Sequence, residues 1–150
     1  MFLLSTTHGA EMSSLGAFVA TVNFMQKHDV VGHIWEYGQR LMDILQRQAV
    51  AHEISDSFKV GGIACSPYYL TLDHFGQNSM ALRTLFLQEM IRNGVLIPCI
   101  ALSYRHGDVE LKLTEAAINK TFVVYKKALV EGVGKYLTGS MVKPVFRKYN

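Results

Sequence analysis

The chain has 150 residues, enough for one domain with its own core, and 49% of them are apolar while only 18% are charged. An average soluble domain carries roughly 25% charge, and a short chain needs more rather than less, so part of the apolar surface is expected to lie under another domain or subunit. The net charge of +3 is dispersed, and a tail of Lys135, Lys143, Arg147 and Lys148 with only Glu131 nearby reads as a solvated end, which argues against a nucleic-acid partner.

Residues 11–28 place Met12, Leu15, Phe18, Val19, Val22 and Met25 at steps of three and four, which predicts a helix. Small residues fill much of its other side and permit close packing there. Asp29 suits the N-cap of a second helix running to about His52, with a stripe of Val30, Ile34, Leu41, Ile44 and Leu45 and with Glu36, Arg40, Asp43 and Arg47 outward. The period then changes. Phe58-Lys59-Val60 and Ala64 to Leu72 are predicted strands hinged at Gly61-Gly62, and Asp73-His74-Phe75-Gly76 is a turn. A helix from about Ser79 to Asn93 follows, using Leu82, Leu85, Phe86, Met90 and Ile91 and stopped by Gly94. Val95-Leu96-Ile97 and Ile100-Ala101-Leu102, either side of Pro98, are a predicted strand pair. A last helix is expected over about Thr114 to Glu131, ended by Gly132. The order implies an α+β fold: a small, mostly antiparallel sheet covered on one face by helices and preceded by two long helices.

The most informative stretch for chemistry is Ser5-Thr6-Thr7-His8-Gly9-Ala10-Glu11, just before the first helix. Hydroxyls and a glycine beside unsatisfied helix N–H groups suit an anion, because the helix dipole favours negative charge there. Plain capping is the alternative reading of the same residues.

The pattern Phe2-x-x-Ser5-Thr6-x-x-Gly9-x-Glu11, followed by Gly16-Ala17-Phe18-Val19-Ala20-Thr21, resembles the class III pyridoxal-phosphate-dependent aminotransferases, most of all the glutamate-1-semialdehyde aminomutase branch and its sugar-pathway relatives. The resemblance continues, in family order, at Met90-Ile91-Arg92-Asn93-Gly94-Val95-Leu96-Ile97-Pro98, at Ala101-Leu102-Ser103-Tyr104-Arg105-His106 and at the helix start Leu113-Thr114-Glu115-Ala116-Ala117-Ile118. It implies the C-terminal part of a fold type I transferase. Residues 1–28 would be a phosphate-contact step with a linking helix, and residues 29–150 the small C-terminal domain. It also implies pyridoxal 5'-phosphate at a homodimer interface, with Thr6 touching the phosphate of the neighbouring subunit's cofactor and Ser5 contributing backbone. The substrate would be a small amino-acid or amino-sugar-like molecule. The family's imine-forming lysine, its aspartate and its main phosphate loop belong upstream of this step, so the chain alone is expected to be inactive. Lys27, Lys59, Lys112, Lys120, Lys126 and Lys127 read as outward positions. Ala10-Glu11 and Ala117 depart from the family's commoner residues, which bears on the substrate more than on the superfamily. A non-catalytic dimerisation or binding module of the same fold is the alternative.

Other candidates are weaker. His8, His28, His33, His52, His74 and His106 show no metal-ligand spacing, although His8 could lie near the cofactor beside Thr6. Arg105 with His106 could grip a carboxylate, or form a surface or intersubunit ion pair. Cys65 and Cys99 lack a CxxC partner or an evident base, so two free thiols in a reducing compartment are expected. Tyr68-Tyr69 reads as sheet packing. Met1-Phe2-Leu3-Leu4 is too short for a signal-peptide core, and the apolar run Gly16 to Met25 is broken by Thr21 and Asn23. A cytoplasmic protein without membrane contact is the expectation.

Overall fold

The computed structural model describes residues 11–143. Four helices and one hairpin follow in chain order: α1 (Met12–Lys27), α2 (Val30–Ala51), β1 (Phe58–Ile63), β2 (Ser66–Thr71), α3 (Met80–Arg92) and α4 (Asp108–Glu131), with a 3-10 turn at Val133–Lys135. The architecture is α+β. Its sheet is a two-stranded antiparallel ladder running from the Phe58–Thr71 pair to the Ile63–Ser66 pair.

Local chemistry explains the helix ends. Asp29 sits in the left-handed region at φ 44° and its side chain accepts from the Gly32 N–H, starting α2 where the sequence expects it. Ser79 caps α3 by accepting from the Leu82 N–H, and Gly94 at φ 83° terminates it. The turn after β2 closes on Asp73, whose Oδ1 accepts from the Phe75 and Gln77 N–H groups at 2.9 Å each.

A hairpin of two strands is marginal alone, so its inward face must be covered. Pro67, Tyr69 and Thr71 point inward along β2 while Ser66, Tyr68 and Leu70 point out. The covered face meets α2, α3 and α4 around five aromatic rings. Phe58 lies 5.0 Å from Phe86, 4.9 Å from Phe122 and 5.6 Å from Tyr69, measured between ring centroids, with Tyr125 edge-on at 6.1 Å. Such offset and edge-to-face pairs add to the large apolar burial these rings provide. The two tyrosine hydroxyls in this cluster are satisfied by carbonyls, Tyr69 donating to Ile97 and Tyr125 to Ser57.

Three expectations are corrected. Gly61 and Gly62 are not the hinge: they lie within β1, and the chain reverses at Ala64-Cys65. A Cβ on Gly61 would fall 2.7 Å from the Tyr68 ring, and Gly62 stands at φ 93°, so glycine there serves the ladder rather than the turn. Residues 95–97 and 100–102 are not strands. Pro98 cannot donate to a ladder, and the carbonyls of Ile97 and Pro98 are taken by Tyr69 and Arg83. Finally, α4 begins at Asp108, well before Thr114, because Glu110 reaches back to accept from the Gly107 N–H at 2.8 Å. The segment Leu113–Ile118 is therefore helix interior, not a helix start.

Helix α1 forms as its periodicity predicts but buries none of its residues. Phe18 is 65% exposed and Met12 83%. Its C-terminal end is fastened by aromatic contacts, the Phe24 ring lying 4.2 Å from His28 and 5.6 Å from Tyr104. Among the described residues no helix is long and apolar enough to cross a membrane.

Candidate functional site: a groove between α2, the 94–107 segment and α4

Thr6, Ser5 and His8, the residues expected around a cofactor phosphate, lie outside the described residues. A groove of about 480 Å³ lies elsewhere in the fold. Tyr37 and Leu41 of α2 form one wall, residues 94–102 the second, and His106, Glu110, Leu113 and Thr114 the mouth. Its volume lies within the roughly 300–1,000 Å³ usual for small-molecule sites.

The segment that makes the second wall has no regular structure, so side chains hold it. Tyr69 and Arg83 bind the carbonyls of Ile97 and Pro98, at 2.9 and 2.7 Å. The Arg83 guanidinium also stacks over the Tyr69 ring at 5.0 Å. Farther on, His33 Nε2 donates to the His106 carbonyl at 2.8 Å, tying α2 to the end of the segment. The Tyr37 ring lies 5.5 Å from that of His106 and 6.2 Å from that of His33.

Charge at the mouth is asymmetric. The Gly107 N–H, followed by Glu110's own backbone N–H, holds the Glu110 carboxyl below the usual range, with His106 adding a smaller pull the same way. Burial pushes the Tyr37 hydroxyl up, and the nearby Glu110 charge pushes in the same direction. The nearest cation on α2, Arg40, is engaged by Asp108 at 2.7 Å.

The other predicted positions are scattered. Arg105 is exposed and, among the described residues, takes part in no ion pair, while His106 lines the groove. Cys65, half-buried, lies at the hairpin tip; Cys99, exposed, lines the groove; neither is in a disulfide. Lys27, Lys59, Lys112, Lys120 and Lys127 are exposed, and Lys126, partly buried, donates to Glu53 at 3.2 Å. No described lysine lines this groove, nor a smaller concavity of about 350 Å³ at the α1–α2 corner beside Val22 and Met25. Among the described residues no group of three or more His, Cys, Asp or Glu side chains could hold a metal ion.

Tyr37 and Glu110 were not singled out by sequence reasoning. Tyr37 falls at a helical step between Ile34 and Leu41, the signal of an ordinary core position. Gly107-Asp108-x-Glu110 carries the helix-start signature that would have placed Glu110 at an exposed N-terminus. Comparison of the chain with family models, curated proteins and solved structures finds no match.

Proposed function

We propose that this chain is the C-terminal part of a class III pyridoxal-phosphate-dependent aminotransferase or aminomutase, of the glutamate-1-semialdehyde type. The intact protein would move an amino group on a small amino-acid or amino-sugar-like substrate. The motifs quoted above, in family order along most of the chain, support this reading. The structural observation that carries it is α1, a helix of 16 residues with no buried side chain and with Met12, Leu15, Phe18 and Val19 all exposed. A helix so apolar requires a covering surface. In the proposed protein, the large domain and the dimer partner would supply it.

The described residues do not by themselves fit the cofactor, because no lysine lines either concavity. Pyridoxal phosphate, bound in the intact protein, would supply the electron sink for amino-group chemistry. Thr6 would contact its phosphate, with Ser5 adding a backbone contact. The covalent tether would come from sequence upstream, and the chain alone would be inactive.

Reading the coding frame upstream of Met1 tests this. An open frame encoding a lysine after a strand, an aspartate before it and a Gly/Ser-rich phosphate loop is the expected result. A stop codon and promoter immediately upstream would overturn it and leave a dimerisation or binding module.

A further inference from the structure

We propose that the groove between α2, residues 94–102 and the start of α4 binds a primary ammonium ion carrying an apolar tail, with Glu110 as its counter-charge. The inference rests on the groove alone and does not depend on the transferase reading. Among the described residues lining the groove, Glu110 is the only Asp, Glu, Lys or Arg, and its carboxylate is exposed. Its carboxylate accepts from the Gly107 N–H through Oε2. A carboxylate offers about four acceptor positions, so capacity remains for an ammonium group, which brings three donors.

Two of the surrounding cations have other partners: Arg40 binds Asp108, and Arg83 binds the Pro98 carbonyl and covers Tyr69. The rest of the lining selects the tail. Leu96 and Leu113 are 78% and 62% exposed, and a short alkyl or aryl chain in the groove would take both from water. A carboxylate ligand would meet Glu110 repulsively, and an alcohol would gain only the apolar part.

The test titrates the 150-residue chain with hexylamine hydrochloride, 1-hexanol and sodium hexanoate, followed by backbone NMR shifts at low salt and about pH 8, above the ordinary histidine range. Hexylammonium is expected to saturate, shifting Tyr37, Leu96 and Leu113, and to bind a few-fold more tightly than hexanol, as an exposed ion pair allows, with hexanoate weaker than both. Glu110→Gln keeps an acceptor for the Gly107 N–H, and should abolish the preference for hexylammonium over hexanol. Leu113→Ser, at an exposed position, should weaken both ligands several-fold and serves if the first variant does not fold. Failure of hexylammonium to saturate, equal affinity for hexanol, or an unchanged preference in Glu110→Gln overturns the proposal.

Discussion

The Tyr69 hydroxyl donates to the Ile97 carbonyl at 2.9 Å, joining β2 to a segment 28 residues farther along the chain. Tyr69 is 4% exposed, so removing its hydroxyl leaves the Ile97 carbonyl without that partner in a dry position. Tyr69→Phe should cost about 1–2 kcal/mol, read as a shift in the denaturation midpoint. Hydrogen exchange should rise in residues 95–102 more than in α4, because the segment loses its tie at Ile97 and keeps the Arg83 bond to Pro98 and the Val95 N–H bond to Met90. An even rise across the whole chain would show that the tyrosine acts on the core and not on the groove wall.

Gly38 lies where α2 presses on the hairpin. A Cβ there would overlap the Ala64 carbonyl oxygen and come 2.7 Å from Leu102. Helix propensity alone makes Gly→Ala favourable by about 1 kcal/mol. The clash involves backbone that cannot rotate away, so it should win: Gly38→Ala is expected to destabilise by about 1–3 kcal/mol in urea unfolding. A stabilised variant would mean that the hairpin tip yields without cost.

These two sites mark where sequence reading succeeded and where it stopped. The four helices were legible because the 3.6-residue period and, for α2, the cap residue Asp29 act locally, but the start of α4 at Asp108 was not. The hairpin was legible as two strands, but its turn was not. Gly61 suits both a hinge and a strand position beneath Tyr68, and only the pairing of Gly61 with Tyr68 decides between them. Residues 95–102 have strand-like composition, but they are held by the Tyr69 and Arg83 side chains, distant contacts that no local period encodes. The groove was illegible for the same reason, since Tyr37 and Glu110 belong to helices far apart in the chain. Thr6 and Ser5, read from sequence, lie outside the described residues.

Apolar residues on α1 and in the core should respond oppositely to truncation. Phe122 is fully buried amid Phe58, Phe86 and Tyr125. Phe122→Ala should cost about 3–5 kcal/mol through lost transfer energy and the cavity left behind. Phe18→Ser on α1 should change the stability of the isolated chain by no more than about 0.5 kcal/mol, because the side chain is already 65% exposed. A loss of several kcal/mol for Phe18→Ser in thermal unfolding would mean that α1 is covered in solution by something other than the described residues.

Alkali should unfold the protein through its buried tyrosines. Burial raises the Tyr125 hydroxyl well above its ordinary pKa, and burial likewise raises Tyr69, opposed in part by Arg83. Both groups hold their protons more tightly folded than unfolded. Their contribution is therefore fully present below the unfolded tyrosine value of about 10 and is lost as pH rises from there toward the folded values. The acid limb has the opposite sign. Asp108, held down first by its hydrogen bond from Arg40, and Glu110, held down by backbone N–H groups, contribute above the ordinary carboxylate range and lose that contribution as pH falls through their lowered values. Both carboxylates are exposed, so the acid limb should be shallow and sensitive to salt. Urea midpoints measured from about pH 7 to about pH 12 should stay level and then fall steeply above about pH 10. Tyr125→Phe, although less stable at neutral pH for want of the bond to Ser57, should show a shallower alkaline fall, and an unchanged slope would exclude Tyr125 as its source.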